Sequence, residues 1–253
     1  MWTPMRELVY RLDPVRFAED LLDAELDPWQ QQLLRSDAQR ILLNCSRQSG
    51  KSTMTAALAC WQALFEPGSL VLLLSPSLRQ SQELFRKTLA IYRATGRTVS
   101  PASETKLSLE LANGSRVISL PGSESTTRGF SAVSLLAIDE AARVDDQLYI
   151  SLRPMLAVSG GRLVALSTPY GCRGWWHAAW TSDEDWERYE IPASLCPRIT
   201  PQFLAEEVAS LGRRAYQQEY ECRFAEAEDN VFRLTDIEAC LGSVQPKGAW
   251  APW

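Results

Sequence analysis

Ser46-Arg47-Gln48-Ser49-Gly50-Lys51-Ser52-Thr53 is the stretch of the 253-residue sequence that decides the fold. It follows a short apolar run at residues 40–44 and precedes an alanine-rich segment at residues 53–64 that predicts a helix. Strand, loop and helix in this order form a phosphate-binding loop, because backbone N–H groups and the positive start of the helix surround the phosphates. The stretch therefore predicts a nucleotide site to which each of its residues contributes.

Two side chains of this loop have defined chemical roles. Lys51 is expected to reach the terminal phosphates of ATP, and the hydroxyl of Ser52 is expected to ligate Mg²⁺. The general pattern has glycine at position 45, where this chain has Cys45. A Gly-Lys-Ser triplet alone is also compatible with the start of an ordinary helix that carries a lysine, so the interpretation depends on a second motif.

Leu135-Leu136-Ala137-Ile138-Asp139-Glu140 supplies that second motif, a buried strand that ends in two acids. At the carboxyl end of a parallel strand, these carboxylates lie beside the phosphate loop. We expect Asp139 to hold the hydrated Mg²⁺ and Glu140 to orient and polarise the attacking water. The alternative is an acidic pair at the start of the next helix, where the helix dipole favours negative charge.

Further apolar runs occur at residues 70–74 and 163–166, each bounded by turn or polar residues. Runs of this kind are typical of parallel strands that are buried on both faces. Residues 106–111 and 116–120 flank Asn113-Gly114, which predicts a β-hairpin that decorates the sheet. The pattern indicates an α/β fold with a mainly parallel central sheet flanked by helices.

The composition argues against several kinds of function. Lys and Arg number 26 against 31 Asp and Glu, and the net charge of −5 argues against a surface covered in basic residues for nucleic acid. A few local basic groups lining a pore would still suffice for DNA. His177 is the only histidine, which nearly excludes a histidine base or a multi-histidine metal site.

The cysteines and the apolar runs indicate the cellular compartment. The six cysteines include no CxxC pair, and a chain of this length does not need disulfides for stability. The longest apolar run, residues 70–74, is far too short to span a bilayer. We therefore expect a protein of a reducing cytosol with no membrane segment.

Three motifs together resemble those of phage large terminases, the ATPases that drive viral DNA into empty capsids. Ser46-Arg47-Gln48-Ser49-Gly50-Lys51-Ser52 is similar to the terminase form of the phosphate loop, in which an arginine lies near its start. Leu26-Asp27-Pro28-Trp29-Gln30 resembles the adenine-binding segment, and Ser167-Thr168-Pro169 resembles the motif that couples hydrolysis to movement. The resemblance implies a P-loop NTPase of the ASCE, RecA-like class with a small helical lid subdomain, and ATP and Mg²⁺ as cofactors.

The resemblance also implies roles for residues outside the two acidic and phosphate-loop motifs. Gln30 would read the edge of the adenine, with Gln31 or Gln32 as alternatives if the register shifts. Ser167 and Thr168 would couple loss of the γ-phosphate to movement, although Ser-Thr-Pro is also an ordinary turn.

Two arginines are candidates for charge neutralisation during phosphoryl transfer. Arg128, just before the strand that ends in Asp139, resembles the finger that packaging motors insert into the ATP site of a neighbouring subunit. Arg47 competes for that role or contacts the γ-phosphate in its own subunit. A solvated loop arginine is the alternative for each.

The resemblance implies an organisation in four segments. Residues 1–35 form an N-terminal helical segment with the adenine motif, and residues 36–195 form the ATPase core. Residues 196–241 form the helical lid, and the Gly/Pro-rich residues 242–253 are a linker toward a nuclease domain that we expect this chain to lack.

The acidic clusters outside these motifs are expected to be solvated charged faces, so no nuclease activity is expected from this chain. The clusters are Asp145-Asp146, Asp183-Glu184-Asp185 and residues 226–229.

The implied partners are double-stranded DNA, further copies in a homo-oligomeric ring, the portal protein and the small terminase subunit. A pentamer on the portal follows from the resemblance, as does a location in the bacterial host cytoplasm with transient docking on the procapsid. DNA-contacting residues are not evident; Arg97, Lys106 and Arg116 are candidates only, and solvated charge is the favoured account of each.

Two other functions fit the same motifs. A helicase-type translocase would need a second RecA-like domain, for which the chain has little room. A non-catalytic, nucleotide-dependent DNA-binding module would bind ATP without hydrolysing it.

Overall fold

A computed structural model of the protein describes residues 2–122 and 129–225 together with residue 240. The strands of its central sheet are β1 (Arg40–Cys45), β2 (Leu70–Ser75), β3 (Pro101–Glu104), β4 (Ser108–Leu111), β5 (Arg116–Pro121), β6 (Leu135–Asp139), β7 (Arg162–Ser167) and β8 (Glu187–Ile191). They lie in the order β3-β4-β5-β2-β6-β7-β1-β8.

The helices are distributed along the whole described chain. They are α1 (Pro4–Leu12), α2 (Pro14–Leu22), α3 (Pro28–Arg35), α4 (Lys51–Phe65), α5 (Leu78–Ala94), α6 (Asp146–Leu152), α7 (Gly174–Thr181), α8 (Pro201–Leu211) and α9 (Arg213–Tyr220). Within the described residues, no helix combines the length and the apolar composition needed to cross a bilayer.

Six neighbouring strands of the sheet are parallel to one another, in the order β5, β2, β6, β7, β1 and β8. The predicted strands at residues 40–44, 70–74, 135–138 and 163–166 are confirmed as β1, β2, β6 and β7. Almost every side chain in them is buried, because helices cover both faces of the sheet. In the sheet, β7 lies between β1 and β6.

The predicted hairpin is confirmed, but its place in the fold differs from the prediction. Strands β4 and β5 pair in antiparallel fashion across a turn in which Gly114 has a φ of 83°. The expectation that this hairpin only decorates the sheet is wrong, because β5 also pairs along its whole length with β2. Val117 of β5 is completely buried in the core, so the hairpin is an integral part of the sheet.

The core has two layers, one on each face of the sheet. Side chains alternate along β1, so that Ile41 and Leu43 belong to one layer and Leu42 to the other. The first layer is covered by helices α1 to α5, and the second by α6 and α7. This arrangement fixes the strands from both sides and leaves their carboxyl ends at one edge.

The N-terminal helices are part of the first layer. Tyr10 and Phe17 are fully buried, and Phe17 packs edge to face against Phe65 of α4 with ring centres 5.8 Å apart. Trp61 donates its indole N–H to the carbonyl oxygen of Tyr10 at 2.8 Å. Helices α1 to α3 are therefore attached to the helix that follows the phosphate loop.

Helices α8 and α9 form a separate pair. Helix α8 has no buried residue, and it contacts α9 through Phe203 and Tyr220, whose ring centres are 6.0 Å apart. The hydroxyl of Tyr220 also donates to Glu207 at 2.8 Å. The pair is thus held to the rest of the protein mainly through the end of α9.

Gly161, immediately before β7, offers a test of how closely β6 and β7 pack. A Cβ atom at this position would lie 1.9 Å from the carbonyl oxygen of Val133. We expect Gly161→Ala to lower the free energy of unfolding by about 3 kcal/mol, because buried backbone must move. In the control Gly160→Ala, the added Cβ atom has no neighbour within 4 Å. Only the left-handed φ of 60° disfavours alanine at this position, at a cost of about 1 kcal/mol. Urea denaturation measures both, and an equal or larger loss in the control would contradict the packing described.

Candidate nucleotide site

The carboxyl ends of β1, β2, β6 and β7 meet at one edge of the sheet, where the loop of residues 46–50 joins β1 to α4. A cleft of ≈ 570 Å³ lies beside this loop. It is lined by Arg47, Gln48, Lys51, Gln80, Glu140, Arg143 and Thr168. Ligands of open α/β sheets bind at this edge, so the cleft is the candidate site.

The backbone of the loop has the geometry that the sequence motif requires. Gln48 and Gly50 have positive φ values of 61° and 94°. A Cβ at Gly50 would approach Nε2 of Gln30 to 3.0 Å, so this position needs glycine both for its conformation and for space. The Ser49 hydroxyl donates to the carbonyl oxygen of Ser46 at 3.1 Å, which stabilises the turn.

The departure from the general motif at Cys45 has a physical explanation. Cys45 is the last residue of β1, and its side chain is completely buried in the first core layer. Burial raises the pKa of its thiol to about 12. The residue therefore acts as a small apolar core side chain below the loop, and the turn itself begins one residue later.

Lys51 and Glu140 form an ion pair at the floor of the cleft. The distance between Lys51 Nζ and Glu140 Oε1 is 3.6 Å, and Lys51 is buried. Glu140 has a left-handed φ of 51°, which directs the chain away from β6 immediately after Asp139. The two motifs predicted from the sequence are thus in direct contact.

Ser52 and Asp139 have the chemistry that Mg²⁺ requires. The Ser52 hydroxyl donates to Asp139 Oδ2 at 3.1 Å, and the Glu140 backbone N–H donates to Oδ1 at 3.0 Å. Burial raises the pKa of the Asp139 carboxyl, Glu140 raises it further, and Lys51 opposes both. A cation beside this buried carboxylate would stabilise its charged form.

The number of ligands also fits Mg²⁺ rather than a metal held by protein alone. Mg²⁺ typically binds one or two protein oxygens and takes its other ligands from phosphates and water. In the part of the chain that the structure describes, no group of three or more His, Cys, Asp or Glu residues could hold a metal ion. Ser52 and Asp139 therefore fit an ion that arrives together with a nucleotide.

Several hydroxyl groups at the strand ends are buried and have no hydrogen-bond partner among the described residues. They are those of Ser46, Ser75 and Ser167, which follow or end β1, β2 and β7. Thr168, the next residue after β7, is almost buried and lines the cleft. Since unpaired buried polar groups are costly, their concentration at this edge points to a place where polar groups serve a ligand.

Arg47 contacts helix α9 in this structure. Its backbone N–H donates to the carbonyl oxygen of Glu219 at 2.9 Å, and its Nε donates to the Glu219 carboxylate at 2.5 Å. Arg47 also lines the cleft. Its guanidinium therefore lies between the cleft and α9. The other predicted finger, Arg128, lies outside the described residues.

Gln30 lies against the phosphate loop, next to Gly50. Its Oε1 accepts the backbone N–H of Asp27 at 2.9 Å. Gln31 and Gln32 instead line a different cavity, between α3 and β8. Of the three glutamines, only Gln30 is adjacent to the loop, and its role toward adenine stays a prediction.

Four residues at the site were missed by the sequence analysis. Arg198 forms two hydrogen bonds to the carboxylate of Asp27, at 3.1 and 2.6 Å, and a further one to the carbonyl oxygen of Ser49 at 3.4 Å. Glu219 holds Arg47 as described above. Neither has a sequence signal, because the partner of each lies more than 140 residues away.

The other two missed residues are Gln80 and Arg143, which line the cleft. Arg143 lies 3.9 Å from Glu140 and 4.3 Å above the ring of Tyr170. Its position three residues after Glu140 was a signal available in the sequence, since such spacing places side chains on one face of a helical turn.

The acidic clusters suspected to be solvated have specific partners where they are described. Asp145 accepts the backbone N–H of Gln147 at 2.8 Å and so caps α6, and Asp146 accepts that of Trp175 at 2.7 Å. Glu184 pairs with Arg40 at 3.0 Å. Residues 226–229 lie outside the described part of the chain.

Comparison of the sequence with known families identifies one match. Residues 42–239 match the family described as terminase large subunit, T4likevirus-type, N-terminal. This range contains both motifs that form the cleft. Among curated proteins there is no match.

Solved structures of phage large terminases have the same fold. The ATPase domain from Thermus phage P74-26 gives a TM-score of 0.71 at 19% identity, covering 82% of this chain and 97% of that one. A large terminase from a thermophilic bacteriophage, solved in complex with ADP, gives 0.68 at 12% identity, covering 79% of this chain and 54% of that one. The large terminase of bacteriophage HK97 gives 0.68 at 14% identity, covering 85% and 55%.

The lengths of these relatives differ. The present chain spans nearly all of the P74-26 ATPase domain but only about half of the ADP-bound terminase and of the HK97 terminase. The ADP-bound terminase has also been solved in complex with ATP-gamma-S.

Proposed function

The chain belongs to the large-terminase family, and on that premise we propose that its cleft is the ATP-hydrolysing site of a viral DNA-packaging motor. The family match covers most of the chain. The complexes of one relative with ADP and with ATP-gamma-S support a nucleotide as the ligand. The coupling of hydrolysis to translocation of double-stranded DNA is the further part of the proposal.

One observation supports the proposal most directly: the loop lysine and hydroxyl meet the strand-terminal acids. Lys51 contacts Glu140 at 3.6 Å, and Ser52 contacts Asp139 at 3.1 Å. A phosphate-binding cation, a metal-ligand pair and a base for water are the parts that phosphoryl transfer to water needs. Here all of them come from two short motifs at one edge of the sheet.

Each residue has a role in this proposal. Mg²⁺, held by Ser52 and Asp139, would supply neutralisation of charge on the β- and γ-phosphate oxygens. When a nucleotide binds, the ammonium of Lys51 would leave Glu140 and contact the phosphates. A buried ammonium needs a negative partner, and it would have one both before and after binding. The loop backbone from Ser46 to Gly50 would donate N–H groups to the phosphate oxygens.

Glu140 would become the water-activating carboxylate once Lys51 has turned to the phosphates. Its left-handed backbone conformation places it directly after the carboxyl end of β6. Nε of Arg143 lies 3.9 Å from Glu140 Oε2, the oxygen that is not paired with Lys51. Arg143 would then hold the carboxylate in its orientation after Lys51 has left. We assign Thr168 and Ser167, at the end of β7, to sensing the γ-phosphate.

The link between hydrolysis and movement would pass through α9. Arg47 is bound to Glu219 of α9 both through its backbone and through its guanidinium. Phosphates compete with Glu219 for that guanidinium, because both are bidentate anions. Occupation and emptying of the site would thus alter the attachment of the lid.

The remaining partners are part of the same proposal. A ring of copies on the portal, pentameric by resemblance, would pull double-stranded DNA in the bacterial cytoplasm with the help of the small terminase subunit. Since this chain spans about half of the ADP-bound and HK97 terminases, packaging is proposed for the motor as a whole. The isolated chain is expected to hydrolyse ATP slowly.

Glu140→Gln tests whether the site is catalytic. The amide preserves shape but cannot act as the base, so we expect turnover to fall at least about 100-fold, with ATP affinity unchanged within a few-fold. Phosphate release and binding of a fluorescent ATP analogue measure the two quantities. Glu206→Gln, on the exposed face of α8, is the matched control and should retain wild-type turnover.

The two outcomes separate the competing functions. A wild type that binds ATP without turnover, and a Glu140→Gln variant that behaves identically, would indicate a non-catalytic nucleotide-binding module. If the wild type hydrolyses ATP and the Glu140→Gln variant does so at the same rate, Glu140 is not the catalytic base.

Mixing of variants tests which arginine acts across subunits. Motors assembled only from Arg128→Ala subunits, or only from Glu140→Gln subunits, are expected to be inactive. A mixture of the two should regain activity, because a Glu140→Gln subunit still supplies its Arg128 to the site of an Arg128→Ala neighbour, where Glu140 is intact. Arg47→Ala mixed with Glu140→Gln should regain none if Arg47 serves its own subunit. Loss of a finger lowers turnover about 10³-fold or more. Recovery only in the Arg47 mixture would reverse the assignment, and normal turnover of Arg128→Ala would exclude it as the finger.

A further inference from the structure

Charge is unevenly distributed along this acidic chain. Residues 67–109 contain six of the 26 Lys and Arg but only two of the 31 Asp and Glu. This segment comprises β2, α5, β3 and the start of β4. In a protein of net charge −5, it is a strongly basic region.

Helix α5 arranges three of these charges in a line. Arg79, Arg86 and Arg93 are seven residues apart, so successive side chains lie on the same face about 10 Å apart along the axis. All three are exposed. The opposite face of α5 is buried in the core through Leu84, Phe85, Leu89 and Tyr92. We call the three arginines the α5 arginine stripe.

Nearby carboxylates neutralise the stripe only in part. Glu83 pairs with Arg86 at 2.9 Å, and Glu104 is shared between Arg93 at 2.5 Å and Arg97 at 3.2 Å. Among the described residues, Arg79 is in no ion pair that the structure records. The stripe and its surroundings therefore keep an excess of positive charge.

Two more basic residues extend this surface. Lys87 lies beside Arg86 on α5, and Lys106 lies in the turn between β3 and β4. Lys106 and Arg86 line the same shallow groove between the helix and the hairpin. The positive surface is thus continuous from α5 onto the edge of the sheet.

The same helix connects the stripe to the nucleotide cleft. Gln80, in the first turn of α5, lines the cleft, and Arg79 is its neighbour in the chain. The helix is held to β5 by two hydrogen bonds, from the Ser81 hydroxyl to the Leu120 carbonyl at 2.8 Å and from the Ser119 hydroxyl to the Ser81 carbonyl at 2.9 Å. A single helix, fixed to β5 by these bonds, therefore joins the two surfaces.

We propose that the α5 arginine stripe binds the sugar-phosphate backbone of double-stranded DNA. The proposal rests on the proposed motor function and names the surface that contacts the polymer. Arginine forms bidentate contacts with phosphate oxygens, and contacts to phosphates bind without regard to sequence. A packaging motor needs binding of that kind.

The composition of the surface favours a nucleic acid over an acidic protein. Protein interfaces have an apolar centre, whereas protein–DNA interfaces are polar and strongly positive. Along α5 the only large apolar side chain with substantial exposure is Leu78, at the very start of the helix. A row of cations without an apolar centre matches a linear polyanion.

The experiment compares DNA binding by three proteins as salt is varied between about 50 and 200 mM. They are the wild type, the stripe variant Arg79→Ser/Arg86→Ser/Arg93→Ser, and the control variant Arg11→Ser/Arg153→Ser/Arg213→Ser. The control loses the same charge from exposed arginines elsewhere; Arg153 follows α6, which packs on the face of the sheet opposite to α5. Fluorescence anisotropy of labelled duplexes of two unrelated sequences gives the affinity.

We expect the stripe variant to bind both duplexes at least about tenfold more weakly at low salt, and the slope of log K against log salt to shrink by about 2 to 3. The control variant should keep a slope close to that of the wild type. Far-UV circular dichroism and thermal melting verify folding. The single variant Arg79→Ser, which breaks no recorded ion pair, should reduce the slope by about 1.

Three results of these titrations would overturn the proposal, and a competition experiment adds a fourth. They are a wild type that does not bind duplex at low salt, a stripe variant with the wild-type slope, and a control variant that loses as much as the stripe variant. Displacement of DNA by polyglutamate at equal charge would overturn it in favour of an acidic protein partner. Binding of a fluorescent ATP analogue to the wild type is measured separately, so that a failure of the nucleotide site is distinguished from a failure of the stripe.

Discussion

The ion pair between the buried Lys51 and the partly exposed Glu140 is the contact on which the site depends. A lysine can be buried only if a negative group accompanies it, and here that group belongs to a different strand. The two residues meet because β1 and β6 are parallel and separated only by β7. The order of the strands in the sheet is therefore what brings the reactive groups of the cleft together.

Two further ion pairs attach the loop to the helices on either side of it. Arg47 joins the loop to α9 through Glu219, and Arg198 joins Asp27, before α3, to the carbonyl of Ser49. The loop is thus connected both to the N-terminal helices and to α9. Under the proposed function, a change in what the loop binds would act on both attachments.

The parts of the fold that were predicted from the sequence are those with a strong local signal. Strands β1, β2, β6 and β7 are continuous apolar runs because both of their faces are buried. Strands β3 and β8, at the two edges of the sheet, contain polar residues such as Ser103 and Glu190 and gave no such signal. The hairpin was found from Asn113-Gly114, but its pairing with β2 is a long-range contact that no local pattern reveals.

The same distinction applies to the site. The positions of Lys51, Ser52, Asp139 and Glu140 follow from motifs at strand ends, and the structure brings them together. Arg198 and Glu219 act through partners far away in the sequence, so their roles appear only in three dimensions. Arg143 lies between these cases, since its spacing from Glu140 was visible but its contact with Tyr170 was not.

The most direct measurement of the central claim is a crystal structure with Mg²⁺ and a non-hydrolysable ATP analogue. The account predicts phosphates on the backbone of residues 46–50 and on Lys51, the ion on Ser52 and Asp139, and a distance from Lys51 to Glu140 longer than the present 3.6 Å. A nucleotide bound elsewhere, or bound at the loop with the Lys51–Glu140 pair intact and Asp139 away from the ion, would contradict it.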